Sequence, residues 1–400
     1  MDHIAVIGAG QAGATLCETL RKRGYEGRLT LWGDEMALPY QRPPLSKAYL
    51  LGEMTRDRLL LRPGSFWKEQ RVEMRNGKRV EAIDPASRTL RHAGGTEEWD
   101  TLVLATGSVP NRLPAAMGGD LEGVHVVRTL PDIERMRPDL RQGAHLLVVG
   151  GGYIGLEAAA VARKLGAEVT LVETASRLLA RVAAPETARW FGALHRGHGV
   201  RILENVTLDR LEGDPKVERA VLADGTVLHV DAVICGIGIR PATDLAEAAG
   251  LTVANGIAVD DYGRTSAPGI WAIGDCASFP HRGGRIRLES VPHAIDHATC
   301  IAGNILGGEE AYHPKPWFWS DQYDVKLQIA GLNTGYEDVV VRQTGHGRSH
   351  WYFAGDTLLA VDAMNAPRDY MAGKRLIEAG RSPDRASVAD PSVSAKALMG

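Results

Sequence analysis

The sequence predicts an α/β protein with two strand–helix–strand units and a smaller C-terminal α+β domain. Two observations predict the units, because an apolar strand leads directly into glycines spaced G-x-G-x-x-G at two separate places. A third observation predicts the last domain, because aromatic residues cluster after Pro316 and alternating strands then follow one another. The length of 400 residues is enough for two or three domains.

The first unit lies at the start of the chain. An apolar strand over residues 4–7 leads into the first glycine-rich turn, and residues 14–23 have helix-forming composition. The glycines of this turn are Gly8, Gly10 and Gly13. A second strand is predicted over residues 28–32, and Asp34 follows about twenty residues after the last glycine.

The second unit repeats this arrangement. A strand over residues 145–149 precedes the turn, a helix is predicted over residues 156–165, and a second strand over residues 167–172 ends at Glu173. The glycines of this turn are Gly150, Gly152 and Gly155.

Both turns have the spacing of a dinucleotide-binding fingerprint. The first glycine permits a tight turn, the second lets the backbone approach a pyrophosphate, and the third lets the helix pack on the strand. The helix N-terminus offers N–H groups and about half a positive charge to the pyrophosphate. A carboxylate after the second strand accepts hydrogen bonds from a ribose. Two such sites in one chain indicate that electrons pass from one bound nucleotide to the other.

Composition excludes several classes of function. The net charge of −3 argues against a general nucleic-acid-binding protein. We expect no secretion signal, because acidic Asp2 precedes a short strand, and no membrane span, because glycines and Glu157 interrupt the longest apolar region. The four cysteines show no C-x-x-C pairing, which favours a reducing cytoplasm and argues against a disulfide scaffold or a metal site.

Two similar apolar segments mark where the chain passes between domains. Residues 101–107 and 231–238 both read as buried strands that end at glycine, and they predict that the second unit is inserted into the first. The predicted domains are 1–113 with 240–315, then 114–239, then 316–400.

Other elements complete the prediction. They are a strand over 271–275, a hairpin turn at Gly283–Gly284, a helix over 292–306, strands over 325–330, 338–342, 351–354 and 357–361, and a loosely attached tail after Ser382.

Seven segments together resemble one family. They read, in order, IAVIGAGQAGA, LPYQRPPLSK, LVLATGS, VVGGGYIGLEAA, GIWAIGDCA, RLESVPHA and PWFWSDQY. The chain resembles the FAD-dependent, NADH-specific reductases of bacterial 2Fe–2S ferredoxins, over nearly its whole length. The resemblance implies a glutathione-reductase-like flavoprotein with two dinucleotide-binding domains and a C-terminal interface domain. It also implies that the first fingerprint binds FAD and the second binds NADH.

The resemblance assigns the FAD site residue by residue. Asp34 is expected at the adenosine ribose, Arg42 and Lys47 beside the flavin, Asp275 at the ribityl chain, and the helix start at Val291 facing the flavin pyrimidine. The remaining expected FAD contacts are Gly8, Gly10, Gly13, Ala14, Ala105, Thr106, Gly107, Arg128, Gly274, Pro292 and Trp319.

The resemblance also assigns the site of hydride transfer. Tyr153 is expected over the nicotinamide pocket, and Glu157 is expected to pair with Lys47, which places positive charge where electron density arrives. No general base is required, because hydride transfer is the chemistry of the cofactors and the protein aligns them. The other expected nucleotide contacts are Gly150, Gly152, Ile154, Gly155, Glu173, Arg177 and Gly238.

The cysteines predict how electrons leave the protein. Disulfide reductases of related sequence carry C-x-x-x-x-C in the first helix region, whereas here Cys17 stands alone and reads as a core residue. Electrons are therefore expected to pass singly and directly to an acidic 2Fe–2S ferredoxin that serves a cytochrome P450 or a ring-hydroxylating oxygenase. A hairpin patch of Arg282, Arg285 and Arg287 and the aromatic Trp319 are candidates for the docking region.

Two alternatives stay open from the sequence. One is an NADH oxidase. The other is a redox-sensing flavoprotein similar to apoptosis-inducing factor, although the long C-terminal insertion of that group is missing here. A monomer or weak dimer is expected, and the sequence identifies neither the ferredoxin nor the terminal oxygenase.

Overall fold

The structure is a computed structural model that describes residues 2–345 and 347–400. The chain forms two compact units. Unit 1 comprises the chain up to Gln41, Arg56–Val109 and Ile239–Pro316, and unit 2 comprises Arg42–Thr55, Pro110–Gly238 and Trp317–Gly400. The three-domain division expected from the sequence stays a prediction.

The strands of the described residues follow in chain order. They are β1 His3–Ile7, β2 Arg28–Trp32, β3 Glu73–Arg75, β4 Val80–Asp84, β5 Thr89–His92, β6 Gly95–Glu98, β7 Thr101–Leu104, β8 Ser108–Pro110, β9 Val124–His125, β10 His145–Val149, β11 Glu168–Glu173, β12 Arg201–Glu204, β13 Leu208–Gly213, β14 Val217–Leu222, β15 Val227–His229, β16 Ala232–Cys235, β17 Ile239–Pro241, β18 Ile257–Ala258, β19 Ile270–Ala272, β20 Ala277–His281, β21 Gly284–Ile286, β22 Trp317–Gln322, β23 Val325–Gly331, β24 Asp338–Thr344, β25 Gly347–Ala354 and β26 Thr357–Met364.

The helices lie between these strands. They are α1 Gln11–Lys22, α2 Arg56–Leu59, α3 Gly64–Glu69, α4 Leu130–Met136, α5 Tyr153–Lys164, α6 Pro185–Gly197, α7 Asp244–Ala248, α8 Val291–Ile305, α9 Pro367–Glu378 and α10 Arg385–Ala389. Short 3-10 helices occur at Pro43–Ser46, Ala115–Met117, Arg137–Asp139, Gly274–Cys276 and Ala397–Met399.

Unit 1 is centred on a parallel sheet with strand order β19-β7-β1-β2-β3. Every residue of β1 is buried, and α1 and α8 pack together beside the sheet through apolar residues such as Leu16 and Ile301. The chain leaves β1 through α1 to β2 on one side, whereas β7 lies on the other side. The carboxyl end of β1 is therefore a topological switch point, where α/β sheets bind ligands.

Unit 2 contains a second parallel sheet and an antiparallel sheet. The parallel sheet has the order β12-β11-β10-β16-β9, so β10 occupies the same switch position as β1. The antiparallel sheet has the order β22-β23-β26-β25-β24, and α9 packs on it. The predicted α/β architecture with a C-terminal α+β region is therefore confirmed.

The crossing strands and the fingerprint helices differ slightly from the prediction. The segments that follow residues 101–107 and 231–238, where the chain is predicted to pass between domains, are strands β8 and β17. These two strands pair with each other. Helices α1 and α5 begin at Gln11 and Tyr153, three residues earlier than predicted. Gly10 and Gly152 already have the extended backbone of a helix N-cap, so Gly13 and Gly155 lie inside the first turn.

Two local predictions are wrong by one to three residues. His281 pairs with Gly284, so the hairpin turn consists of Arg282 and Gly283, both with positive φ, and not of Gly283–Gly284. This is the conformation that a two-residue type I′ turn requires. The strand predicted over 271–275 ends at Ala272, because Gly274 begins a 3-10 helix.

The C-terminal region has more order than the sequence predicts. The aromatic cluster after Pro316 is strand β22, and the following strands are longer than predicted. Strand β25 begins four residues earlier, and the other three end later. The tail is not loosely attached, because Val388 and Leu398 are buried in the same core as Trp351. Buried Arg342 donates to the carbonyl oxygens of residues 388, 390 and 393 and pairs with Asp369. None of the described helices has the length and apolarity needed to cross a membrane.

Candidate active site

In the first glycine-rich turn, the first and last glycines are tightly packed, and the middle glycine faces open space. Gly8 has a φ of +121°, and a Cβ atom on it would overlap the Ala105 carbonyl group, while one on Gly13 would overlap the Gly8 carbonyl oxygen. A Cβ on Gly10 would meet no atom within 4 Å. Among the described residues no side chain caps α1, so its first N–H groups can bind an anion there.

The second turn repeats this geometry in unit 2. Gly150 has a φ of +102° and lies against the Gly236 carbonyl group, and Gly155 lies against Gly150. Gly152 again faces open space, and α5 has no side-chain cap within the part of the chain that the structure describes. Ile154, in the first turn of α5, is exposed. Each unit therefore carries a complete fingerprint at its switch point.

The two carboxylates that are expected at the riboses differ in how firmly they are held. Asp34 is exposed just after β2. Glu173 ends β11 and is half-buried, and its two carboxylate oxygens accept hydrogen bonds from the backbone N–H groups of Gly151 at 2.7 Å and Ala175 at 2.8 Å. Glu173 is thereby fixed against the glycine-rich turn. Arg177 donates to the carbonyl oxygens of Leu178 and Ala180 in its own loop.

In unit 1 the expected ribityl carboxylate lies near the segment after β7. Ser108 donates to Asp275 over 3.0 Å. Thr106 donates to the Ala242 carbonyl oxygen at 2.7 Å, and the Ala242 N–H group donates to Gly107 at 2.9 Å. These bonds fix the loop of residues 105–107 beside the fingerprint turn, because the Ala105 carbonyl group contacts Gly8.

The start of α8 is also built as expected. The helix begins at Val291, with Pro292 in its first turn and Ser290 as N-cap, whose hydroxyl accepts the His293 N–H at 3.2 Å. Gly274 has a φ of +72° and contacts Ala12 of α1, which places the Gly274–Cys276 turn against the helix that follows the first fingerprint.

Lys47 and Glu157 form a buried ion pair in unit 2. Glu157 lies on α5 and is 2% exposed, and its Oε2 atom is 2.7 Å from the Lys47 Nζ atom. The 3-10 helix at Pro43–Ser46 begins with two prolines, and it directs Ser46 and Lys47 toward α5. Ser46 donates to Oε2 at 2.6 Å, and Ser320 of β22 donates to Oε1 at 2.7 Å. The predicted pair is therefore present, with two serine ligands that the sequence reasoning missed.

Tyr153 is placed at the start of the same helix. Its ring lies 5.0 Å from that of Phe318, and its hydroxyl is buried without a hydrogen-bond partner among the described residues. Burial raises the pKa of Tyr153 well above its usual value, and the Asp362 charge adds to this effect. The phenol is neutral, and its unsatisfied hydroxyl is one atom that a bound ligand could satisfy.

Four other predicted residues lie in unit 2. The Arg42 guanidinium donates to the Arg128 carbonyl oxygen at 2.7 Å, which brings these two expected flavin contacts together. Gly238 has a φ of +93°, and its carbonyl group accepts the Asn111 N–H. Trp319 is half-buried and its ring lies 5.6 Å from that of Trp317.

The cysteines are inert in this structure. All four, Cys17, Cys235, Cys276 and Cys300, are buried and unpaired. Burial raises the pKa of Cys17 and Cys235 to about 12 and that of Cys300 to about 11, so these thiols stay protonated at neutral pH.

The expected basic hairpin is partly neutralised. Arg287 forms an ion pair with Glu289, which lies two residues beyond it in the chain. Arg285 donates to the carbonyl oxygens of Val259 and Ser278 in unit 1. Arg282 lies in the exposed turn.

Comparison with known proteins decides the family. The profile described as pyridine nucleotide-disulphide oxidoreductase matches residues 2–298, and the profile described as reductase C-terminal matches residues 317–399. The chain is 43% identical to the ferredoxin reductase subunit of 5,5'-dehydrodivanillate O-demethylase from Sphingobium sp., which covers 98% of this chain and 97% of that protein. It is 39% identical to putidaredoxin reductase from Pseudomonas putida, over 100% of this chain and 97% of that protein.

This chain belongs to the ferredoxin reductase family.

Solved structures agree with this assignment. The covalent putidaredoxin reductase–putidaredoxin complex contains a chain that matches with a TM-score of 0.96 and 40% identity, over 100% of this chain and 98% of that chain. A ferredoxin reductase from Rhodopseudomonas palustris matches with a TM-score of 0.96 and 39% identity, over the full length of both chains. The predicted glutathione-reductase-like flavoprotein fold is confirmed, and the reductase is an oxidoreductase that uses a flavin and a nicotinamide nucleotide.

The residues of this reductase fit those two groups. Each fingerprint leaves open space at its middle glycine and uncapped N–H groups on the following helix, which suits a pyrophosphate. The sequence analysis missed Ser46 and Ser320, because a serine in a loop or strand has no distinctive spacing. Their only signal was their presence in the segments LPYQRPPLSK and PWFWSDQY.

Proposed function

We propose that this reductase takes electrons from NADH, holds FAD as its flavin, and delivers electrons singly to an acidic 2Fe–2S ferredoxin. Bound FAD supplies the chemistry that accepts two electrons together and releases them one at a time. The observation that carries the proposal is the combination of two complete fingerprints with four buried, protonated cysteines. A disulfide relay needs an accessible thiolate, so the electrons need a direct route to the partner.

The relatives support a ferredoxin as the acceptor. Proteins at 39% to 43% identity are named as reductases of an O-demethylase ferredoxin, of rhodocoxin and of putidaredoxin. By analogy, we propose that the ferredoxin served by this chain supplies a cytochrome P450 or an oxygenase in a reducing cytoplasm.

The proposed FAD site lies in the first fingerprint. Gly10 and the N-terminus of α1 would hold the pyrophosphate, Asp34 the adenosine ribose, and Asp275 the ribityl chain. Arg42 and Lys47 would lie beside the flavin, and the N-terminus of α8 would stabilise negative charge there. The corresponding domains are 1–113 with 240–315 for FAD, 114–239 for NADH, and 316–400 at the C-terminus.

The proposed NADH site lies in the second fingerprint. Gly152 and the N-terminus of α5 would hold the pyrophosphate, and Glu173 would accept the hydroxyls of the adenosine ribose. Tyr153 would cover the nicotinamide pocket, and the Lys47–Glu157 pair would orient the ring and place a positive charge beside it.

Two measurements test this proposal. Heat or acid should release free FAD from the purified protein, and a flavin that stays covalently attached would contradict the assignment.

NADH-dependent cytochrome c reduction should accelerate strongly when acidic 2Fe–2S ferredoxins are added. If several such ferredoxins have no effect while oxygen or peroxide is turned over rapidly, the protein is an NADH oxidase. If NADH binds but neither acceptor is turned over, a redox-sensing role replaces the reductase role.

A further inference from the structure

A chain of buried side chains leads from Glu157 into the C-terminal sheet and back to helix α6, all within unit 2. Ser320 donates to the Glu157 Oε1 atom at 2.7 Å. The Gln322 side-chain amide donates to the Ser320 oxygen at 3.1 Å, and the His195 Nε2 atom lies 2.8 Å from the Gln322 Oε1 atom. Ser320 and His195 are fully buried, and Gln322 is 1% exposed.

The carboxylate fixes the direction of every bond in this chain. An ionised Glu157 can only accept hydrogen bonds, so the Ser320 hydroxyl must donate to it. Ser320 then accepts from the Gln322 NH₂ group, which leaves the Gln322 carbonyl oxygen to accept from His195. His195 is therefore the neutral Nε2–H tautomer, since burial lowers its pKa to about 4. Each donor along the chain is aimed at the negative charge.

The series of hydrogen bonds ends at Tyr323, which packs at the surface of α6. The Tyr323 hydroxyl lies 3.3 Å from the His195 Nδ1 atom, as the assigned tautomer requires, and the Tyr323 ring stacks on exposed His198 at 3.7 Å. Burial raises the pKa of Tyr323, so the phenol stays a donor at neutral pH. These hydrogen bonds thus connect strand β22 of the C-terminal sheet with α6, the helix that follows the second βαβ unit.

Ionisable groups on the elements packed against α5 are few. Lys47 contacts Glu157 directly, Tyr153 lies on the same helix, and Asp321 alternates to the opposite face of β22 from Ser320. The parallel strands next to α5 carry ionisable side chains only at their ends, namely His145, Glu168, Glu173 and Cys235. Lys47, Ser46 and Ser320 are therefore the groups that hold the Glu157 carboxylate in place.

We propose that Ser320, Gln322 and His195 are positioning residues that hold the Glu157 carboxylate in one place, and so keep the Lys47 ammonium aimed at the nicotinamide. The inference rests on the proposed NADH site. In this arrangement Ser320 and Gln322 of the C-terminal domain act on the hydride-transfer site through Glu157. The Gln322 amide orders the hydrogen bonds and does not conduct protons, because an amide neither gains nor loses a proton at neutral pH.

The decisive variant is Ser320→Ala, with Ser320→Thr as the conservative replacement. Ser349→Ala is the matched control, because Ser349 is also a fully buried serine of the same antiparallel sheet and donates to a buried carboxylate, Asp369, at 2.8 Å. The affinity of each holoenzyme for NAD⁺ and its anaerobic rate of reduction by NADH are measured at constant pH and ionic strength. Flavin content and thermal unfolding confirm that each variant is folded.

Ser320→Ala should weaken NAD⁺ binding and slow reduction by NADH by about tenfold, because Glu157 loses the donor that fixes its Oε1 atom and the Lys47 ammonium is no longer held in place. Ser320→Thr keeps a hydroxyl donor and should restore both values. Ser349→Ala should leave both values at the wild-type level. Equal values for Ser320→Ala and Ser349→Ala, or no recovery in Ser320→Thr, would overturn the proposal.

Neither the affinity for NAD⁺ nor the rate of reduction by NADH requires a ferredoxin. A wild-type protein that binds NADH but reduces no ferredoxin would therefore remove the proposed function and leave this inference standing. If wild type binds no nicotinamide nucleotide, the NADH site is wrong and the inference falls with it.

Discussion

Replacing Glu173 by alanine tests the preference for NADH over NADPH. Both Glu173 oxygens are held by backbone N–H groups at 2.7 and 2.8 Å, so the negative charge cannot turn away from an incoming 2′-phosphate. Two unit charges 4 Å apart in water repel by about 1 kcal/mol, and a 2′-phosphate carries nearly two charges. A lost hydrogen bond to the ribose adds about 1 kcal/mol.

These terms sum to about 3 kcal/mol, which corresponds to a preference of about a hundredfold for NADH. Glu173→Ala should reduce that preference to within about threefold, because it removes both the repulsion and the acceptor. Glu173→Gln should give an intermediate value, because the amide oxygen can still accept one hydrogen bond. Arg177 does not offset the charge directly, since it is bonded to carbonyl groups of its own loop.

The assay is kcat/KM for each nucleotide with ferricyanide as acceptor at constant ionic strength. Glu168→Ala is the matched control, because Glu168 is an exposed carboxylate at the other end of the same strand, β11. Equal kcat/KM values for NADH and NADPH in the wild-type protein would refute the reasoning. An unchanged preference in Glu173→Ala would show that another residue sets it.

Further predictions concern the ion pair, the C-terminal tail, a buried acid and the cysteines. Lys47→Met should cost about 3 kcal/mol of unfolding free energy, measured by denaturant titration, and the addition of Glu157→Gln should restore part of it, because a lone buried charge is removed. Arg342→Met should destabilise the protein by about 3 kcal/mol and increase proteolysis after Ser382, which a freely attached tail would not show. Burial raises the pKa of the Asp362 carboxyl group to about 6, above its unfolded value. The stability that the protonated carboxyl contributes is therefore lost as pH rises through about 6. Asp362→Asn should flatten the pH dependence of the unfolding free energy between about pH 4 and 7. Replacing all four cysteines with alanine should leave most NADH–ferricyanide activity, and loss of activity with flavin still bound would contradict direct transfer.

The sequence predicted the repeated part of the fold well. Strand β2 and strand β10 have the predicted bounds, because a short apolar strand before glycine has few alternatives. Helix starts were less accurate, because a glycine inside a first turn cannot be distinguished from a loop glycine by composition. The tail was wrong because its order comes from buried Arg342, whose three carbonyl partners lie more than 45 residues away in the chain.

The candidate site was predicted in part. Lys47 and Glu157 are 110 residues apart, and only the family resemblance connected them before the structure did. The serine donors and the chain through Gln322 and His195 were not predictable, because polar residues of these types usually lie at the surface and their burial depends on the tertiary structure. The docking face stays a prediction, and exposed Arg282 is the basic residue to test there, because Arg285 donates to backbone carbonyl groups and Arg287 pairs with Glu289.

The most direct test of direct electron transfer is a stoichiometric titration with the cysteine-free variant. NADH is added in small portions, without oxygen, to catalytic amounts of the variant and an excess of oxidised 2Fe–2S ferredoxin, and the reduced ferredoxin is counted from its visible spectrum. Since NADH gives two electrons and the cluster accepts one, the account predicts two ferredoxins reduced per NADH, at nearly the wild-type rate. Reduction of the bound flavin without reduction of ferredoxin in this variant, while the wild-type protein reduces it, would contradict the account.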